Sequence, residues 1–120
     1  MSAQKAETRP GAVGPLGQDG RVDEAFVEQV LSLVERIPKG RVLPYGRIAE
    51  HLGAGYGPRY VGRVMSTYGD TVAWWRVPRA DGTLAPVLMI EAQAHWADEG
   101  TPVLNGRVHM AEALWEPDAS

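Results

Sequence analysis

Cysteine is absent from the 120-residue chain. That absence removes disulfides, thiolate zinc sites and any cysteine nucleophile. No apolar run reaches the ~18 residues that a membrane span needs. The N-terminus has no charged start followed by an apolar core, so no secretory signal is expected. The expected location is the cytoplasm, in bacteria together with the nucleoid. Phenylalanine occurs once, yet two of the four tryptophans stand side by side in "TVAWWRVPRADG", followed at once by Arg76. A buried indole needs a partner for its N–H, so such a pair calls for a reason.

Reactive constellations are equally sparse. His51, His95 and His109 are scattered without partners at metal-ligand spacing. His95 and Glu99 share a helical face and read as an i, i+4 surface pair. Ser32 and Ser66 lack the glycines of a nucleophile elbow. "GAGYG" lacks the following Lys-Ser/Thr of a phosphate-cradling loop. No catalytic pair, metal site or cofactor is expected.

Charge is present but unevenly spread. The chain carries a net −3, which argues against an anionic partner. From Arg36 to Arg79, however, eight positive residues face two negative ones, Glu50 and Asp70. That segment is +6 and the remainder is −9. Seven of the eight cations are arginine, the better reader of phosphates and bases. A basic middle between acidic flanks is the footprint of a nucleic-acid partner; a solvated mixed-charge surface is the alternative.

Residues 1–22 are rich in Gly, Pro, Ala and polar side chains and read as a flexible tail. Asp23 is placed as an N-cap. Phe26, Val27, Val30, Leu31, Val34 and Ile37 then form one apolar stripe, which Pro38-Lys39-Gly40 ends. Pro44 suits the first turn of a second helix, with Ile48, Ala49 and Leu52 inward. After "GAGYG", Pro58 starts a third, with Val61, Val64 and Met65 inward and an end near Gly69. Two short helices about a glycine-rich turn form a helix-turn-helix pattern. Arg59 and Arg63 fall on one face of its second helix, with Gly62 between them. A helical glycine marks the close approach of another backbone, with helix packing as the default partner. "TVAWWRV" reads as a strand, "RADG" as a turn, and "TLAPVLMI" as a return that Pro86 demotes to an edge strand or loop. This strand pair would be a wing. "EAQAHWADEG" reads as a helix ending at Gly100, and "PVLNGRVHM" as a hairpin about Asn-Gly.

These pieces together resemble a known family. "IPKGRVLPYGRIAEHLGAGYGPRYVGRVM" followed by "VAWWRV" is similar to the DNA-binding domain of O6-alkylguanine-DNA alkyltransferases. It looks closer still to their non-catalytic relatives, the alkyltransferase-like proteins, whose C-terminal pattern "HWADEGTPVLNGRVHMAEALWEP" also resembles. The match covers about residues 26–117. By this resemblance Tyr45 would press on the phosphate beside the target nucleotide and help rotate it out. Arg59 would enter through the minor groove and fill the gap. Both roles suit a protein that extrudes a base and offsets the lost stacking. Gly46, Tyr60, Gly62, Arg63 and Arg79 would complete the DNA-contacting set. Met65, Trp74, Arg76 and Val77 would line the lesion pocket.

The departures carry as much weight. Trp74 stands where catalytic relatives keep the reactive cysteine, and Trp75 replaces the histidine that activates it. Without a thiolate, alkyl transfer to cysteine cannot occur. The Asn of the catalytic hydrogen-bond network is not evident in "STYGDTV". Glu99 matches a family glutamate but has no relay to support. Ala73 stands where most relatives have proline. "TLAPVLM" lacks a basic residue that some relatives place near the pocket mouth, a gap that Arg79 could fill. Trp74 is expected toward the pocket and Trp75 toward the interior, because neighbours on a strand face opposite ways.

The resemblance implies a mainly α winged helix-turn-helix domain over residues 23–117, with short tails at 1–22 and 118–120. It implies a monomer that binds duplex DNA containing O6-alkylguanine, flips the base, performs no reaction, and signals to nucleotide excision repair proteins. A winged-helix transcription regulator reading the major groove is the competing reading. It is weakened because no dimerisation helix is visible. A repair adaptor that binds only protein fits the +6 segment poorly.

Overall fold

The computed structural model describes residues 23–53 and 55–117. The expected tails at 1–22 and 118–120 lie outside the described residues.

The first helix, α1 (Glu24–Arg36), opens where Asp23 accepts hydrogen bonds from the amides of Ala25 and Phe26. This cap satisfies two of the donors left free at a helix start. Its inner stripe buries Phe26, Val27, Val30, Leu33 and Val34. Helix α2 (Tyr45–Leu52) begins directly after Pro44, which caps it in an extended conformation. Helix α3 (Pro58–Tyr68) has Pro58 in its first turn, where a missing N–H costs nothing. The three helices enclose one core that includes Val30, Val34, Ile48, Val61 and Val64, all fully buried.

The segment expected as a wing folds differently. Residues 71–77 form no strand. Two short 3-10 turns, Gly69–Thr71 and Trp74–Arg76, take their place. The partner expected for that strand is itself helical: α4 runs Pro86–Glu99. Pro86 decides this locally. It lacks the N–H that a ladder needs but fits the first helical turn, and Ala85 before it is extended, as a residue preceding proline prefers. With no ladder available, the Trp segment closes onto itself through bonds from Arg76 N to Ala73 O and from Val77 N to Trp74 O.

The Asn-Gly hairpin forms as expected. β1 (Val103–Leu104) pairs antiparallel with β2 (Arg107–Val108), and Asn105 and Gly106 both take positive φ, at 56° and 82°. That is the backbone of a type I′ turn. A one-turn helix, α5 (Met110–Ala113), follows. Leu114 then makes a parallel bridge to Val42. A second core of Val42, Leu84, Ala92, Trp96, Val108 and Ala113 joins α4 to this hairpin. The 79–83 turn is pinned to it through Gly82, whose carbonyl accepts from the Val108 amide at 3.0 Å. Gly82 sits at φ +87°, and an added Cβ would run into the Val108 backbone, so only glycine fits.

Candidate nucleic-acid interface

Helix α3 divides cleanly into two faces. Tyr60, Val61, Val64 and Met65 face the core, while Arg59, Gly62, Arg63 and Ser66 face outward. Neither Arg59 nor Arg63 has an ion pair among the described residues, and both are exposed. Two unpaired guanidinium groups one turn apart form a compact cationic ridge. A Cβ added to Gly62 would meet nothing within 4 Å, so no neighbouring helix demands this glycine. Helix packing, the default explanation from sequence, is therefore overturned: the open side of Gly62 faces out between the two arginines.

Tyr60 does not belong to that ridge. It is 3% exposed, stacks on Phe26 with ring centroids 5.1 Å apart, and its hydroxyl accepts from the Asp23 amide. Burial raises its pKa most, with smaller opposing effects from its neighbours. Placing it among DNA contacts is corrected: it ties α3 to the cap of α1. Tyr56 binds the same Asp23 carboxylate at 2.8 Å.

Tyr45 opens α2, half-buried against the three-helix core. Burial pushes its phenol pKa up, and the charge of Arg79 pulls it partly back. The structure thus brings Arg79 within electrostatic reach of Tyr45, a proximity the sequence separation hides. Arg79 is itself exposed, at the start of a tight turn closed by bonds from Arg79 N to Thr83 O and from Gly82 N to Arg79 O. A Cβ on neighbouring Gly46 would also meet open space.

The tryptophan turn lies between the two cores. Trp74 packs against both, and Trp75 against the second. Both rings are half-buried, so strand alternation does not sort one outward and one inward. They meet edge to face, 5.5 Å apart at 83°. His95 of α4 lies flat on Trp75, 3.6 Å away at 5°. The backbone carbonyl of Trp75 accepts from Trp96 Nε1 at 2.8 Å, but its own buried Nε1 makes no hydrogen bond of good geometry. Met65 and Val77, expected to line a pocket, are 8% and 0% exposed. They belong to the packed layer against which Trp74 rests.

Arg76 is likewise reassigned. Its Nε and Nη2 grip both oxygens of Glu99 at 3.1 and 2.6 Å, and its Nη1 donates to the Ile37 carbonyl at 2.8 Å. Glu99 also accepts from the Gly40 amide at 3.4 Å. Burial pushes the Glu99 carboxyl up, but the bonds from Arg76, the nearby Trp75 indole, the Arg76 charge and Gly40 outweigh it, so the net shift is downward. Arg76 thus brackets the end of α1, the Trp turn and the end of α4. The expected surface pair of His95 with Glu99 does not form, because Glu99 turns inward. His95 instead comes within 3.9 Å of Glu91. The inward turn of Glu99 was readable: it falls on the same helical face as buried Ala92 and Trp96.

No group of three or more His, Cys, Asp or Glu side chains that could hold a metal exists among the described residues. No described helix is long and apolar enough to cross a membrane. The surface thus carries a cationic α3 ridge, a Tyr45–Arg79 pair and a half-exposed indole.

The family model described as the 6-O-methylguanine DNA methyltransferase DNA-binding domain matches residues 25–100. The DNA base-flipping protein of Escherichia coli (strain K12) is 30% identical over 98 residues, covering 78% of this chain and 76% of that protein. The DNA base-flipping protein of Vibrio parahaemolyticus is 31% identical over 64 residues, 52% of this chain and 64% of its own. The crystal structure of S. pombe Atl1 with damaged DNA containing O6-carboxymethylguanine superposes with a TM-score of 0.69 at 25% identity, covering 79% of this chain and 98% of Atl1. A second S. pombe ATL structure in complex with DNA gives 0.67 at 26% identity, again covering 79% of this chain and 98% of that one. The mainly helical fold with a short two-stranded hairpin is the fold of these proteins. The chain belongs to the family of the 6-O-methylguanine DNA methyltransferase DNA-binding domain, as an alkyltransferase-like member.

Proposed function

We propose that this protein recognises O6-alkylguanine in duplex DNA by turning the damaged base out of the stack and holding it, without reaction. The observation that carries the reading is the open α3 face, where Arg59 and Arg63 flank a glycine that nothing inside the protein requires. A helix that presents its backbone between two unpaired arginines is built to lie close against a phosphate-lined groove. Arg59, in the first turn of α3, enters the minor groove and fills the space of the extruded nucleotide. Tyr45, with Arg79 nearby, presses on the adjacent phosphate. Gly46 leaves that contact uncrowded. Trp74 supplies the aromatic wall for the flipped base, backed by Met65 and Val77.

Binding without turnover follows from composition. No cysteine exists to accept an alkyl group, and Trp75 cannot serve as a base. A stable complex rather than a repaired base is then the product. We propose that the monomer hands this complex to nucleotide excision repair.

Titration of the protein with two matched fluorescent duplexes, one containing O6-methylguanine, tests the reading. Tighter binding to the damaged duplex supports it, and equal affinities overturn it. The handover is tested by exposing cells lacking this protein, excision repair, or both to an alkylating agent. Additive sensitivity of the double loss overturns a shared route.

A further inference from the structure

We propose that His95 is a positioning residue for Trp74. The imidazole and the Trp75 ring are nearly parallel, 3.6 Å apart at 5°. Trp74 is almost equidistant from both, 5.5 Å from Trp75 and 5.9 Å from His95, and perpendicular to each at 83° and 82°. A ring seated on the face of Trp75 could not be equally near a second ring stacked on that same indole. Trp74 therefore stands beside the stack and spans the edges of both rings. Aromatic edges are electropositive and faces electronegative, so this perpendicular arrangement is the attractive one.

The consequence is that the orientation of Trp74 is set by two rings from different parts of the chain. Trp75 alone is a weak guide. Its own indole N–H makes no hydrogen bond of good geometry. His95 arrives from α4, a regular helix of 14 residues whose last turn, one turn beyond His95, is fixed by the Arg76–Glu99 bracket. It clamps Trp75 from its open face and adds its own edge to the seat of Trp74. Glu91, 3.9 Å from Nε2, holds the imidazole from the solvent side. His95 acts through Trp74.

The proposal rests on Trp74 being the wall of the lesion pocket, and the experiment separates the two ideas. Three proteins are compared: the natural chain, His95→Ala, and His95→Phe, which keeps a flat ring. Each is titrated with an O6-methylguanine duplex and its undamaged match. Circular dichroism reads the exciton coupling of Trp74 with Trp75, the one indole pair in ring contact among the described residues. His95→Ala is expected to lose about five- to tenfold of the lesion preference, the worth of one aromatic pair. It is expected to keep its affinity for undamaged DNA and to show a changed exciton couplet. His95→Phe should retain both preference and couplet. Unchanged preference and couplet in His95→Ala overturn the proposal. So does lost preference with an unchanged couplet, because His95 would then act without moving Trp74. If His95→Phe behaves like His95→Ala, a stacking ring is not what matters and the proposal also falls. If the natural chain shows no lesion preference, the lesion reading fails, while the couplet still decides whether His95 orients Trp74.

Discussion

Arg76 and Glu99 meet in a two-pronged ion pair, at 3.1 and 2.6 Å, with their side chains only 13% and 6% exposed. Arg76 belongs to the Trp turn and Glu99 to the last turn of α4, so the pair locks together the two elements that supply Trp74 and His95. Removing one partner strands the other charge in a site it cannot leave, at a cost of about 3 kcal/mol. Arg76→Ala is therefore expected to lower the midpoint of urea unfolding strongly. Because Glu99 is shifted downward in the folded state, its contribution is complete above the ordinary carboxylate value of 4.5. It is lost as pH falls below that value and through the depressed folded one. Glu99→Gln should accordingly be less stable near neutrality, with a shallower loss of stability below pH 4.5. An acid titration of unfolding free energy that is parallel in both proteins would show that the pair has no such role.

Gly62→Ala separates folding from binding. The new methyl group would point into open space, so the helix gains about 1 kcal/mol of propensity. The melting temperature is expected to rise. The same methyl group stands between Arg59 and Arg63, where a groove wall must approach, so DNA affinity is expected to fall. A stabilised variant with undiminished affinity would place the DNA elsewhere.

Arg59 and Arg63 share a face but have different expected roles. Arg59→Ala should weaken binding to an O6-methylguanine duplex by more than tenfold while affecting undamaged DNA less, since only an extruded base leaves a gap to fill. Arg63→Ala should weaken both duplexes alike. It should also reduce the slope of log affinity against log salt by about 1, the signature of one lost phosphate contact. Equal effects of the two substitutions on lesion preference would contradict the finger assignment.

The parts of this design that were legible in the sequence are those set by local chemistry. Asp23 caps α1, Pro58 opens α3, Asn105-Gly106 turns the hairpin, and most of the apolar stripes bury as their period requires, although Leu33 rather than Leu31 goes fully inside and Leu52 is only half-buried. The wing at residues 71–90 was misread because strand propensity was judged without a partner. Pro86 in a first helical turn removed that partner, and the Trp segment then folded into 3-10 turns. For the same reason strand alternation does not sort Trp74 from Trp75, both of which are half-buried. Tyr60 and Arg76 sit in motif positions that suggest ligand contact, yet long-range neighbours, Asp23 and Glu99, claim them. Pairings across 37 and 23 residues leave no local trace. The closeness of Tyr45 and Arg79 was hidden likewise.

Trp74→Cys is expected not to restore alkyl transfer. A thiol at this position would need a base to become the attacking thiolate; the adjacent side chain is the Trp75 indole, which accepts no proton, and the nearby imidazole of His95 lies flat on that indole with its Nε2 toward Glu91. Glu99 has both oxygens held by Arg76 and cannot stand in. The substitution also removes the aromatic wall, so lesion preference should fall together with any prospect of chemistry. Mass spectrometry of the variant after incubation with an O6-methylguanine duplex should find no methylated protein. A methylated cysteine would show that the site retains a proton acceptor.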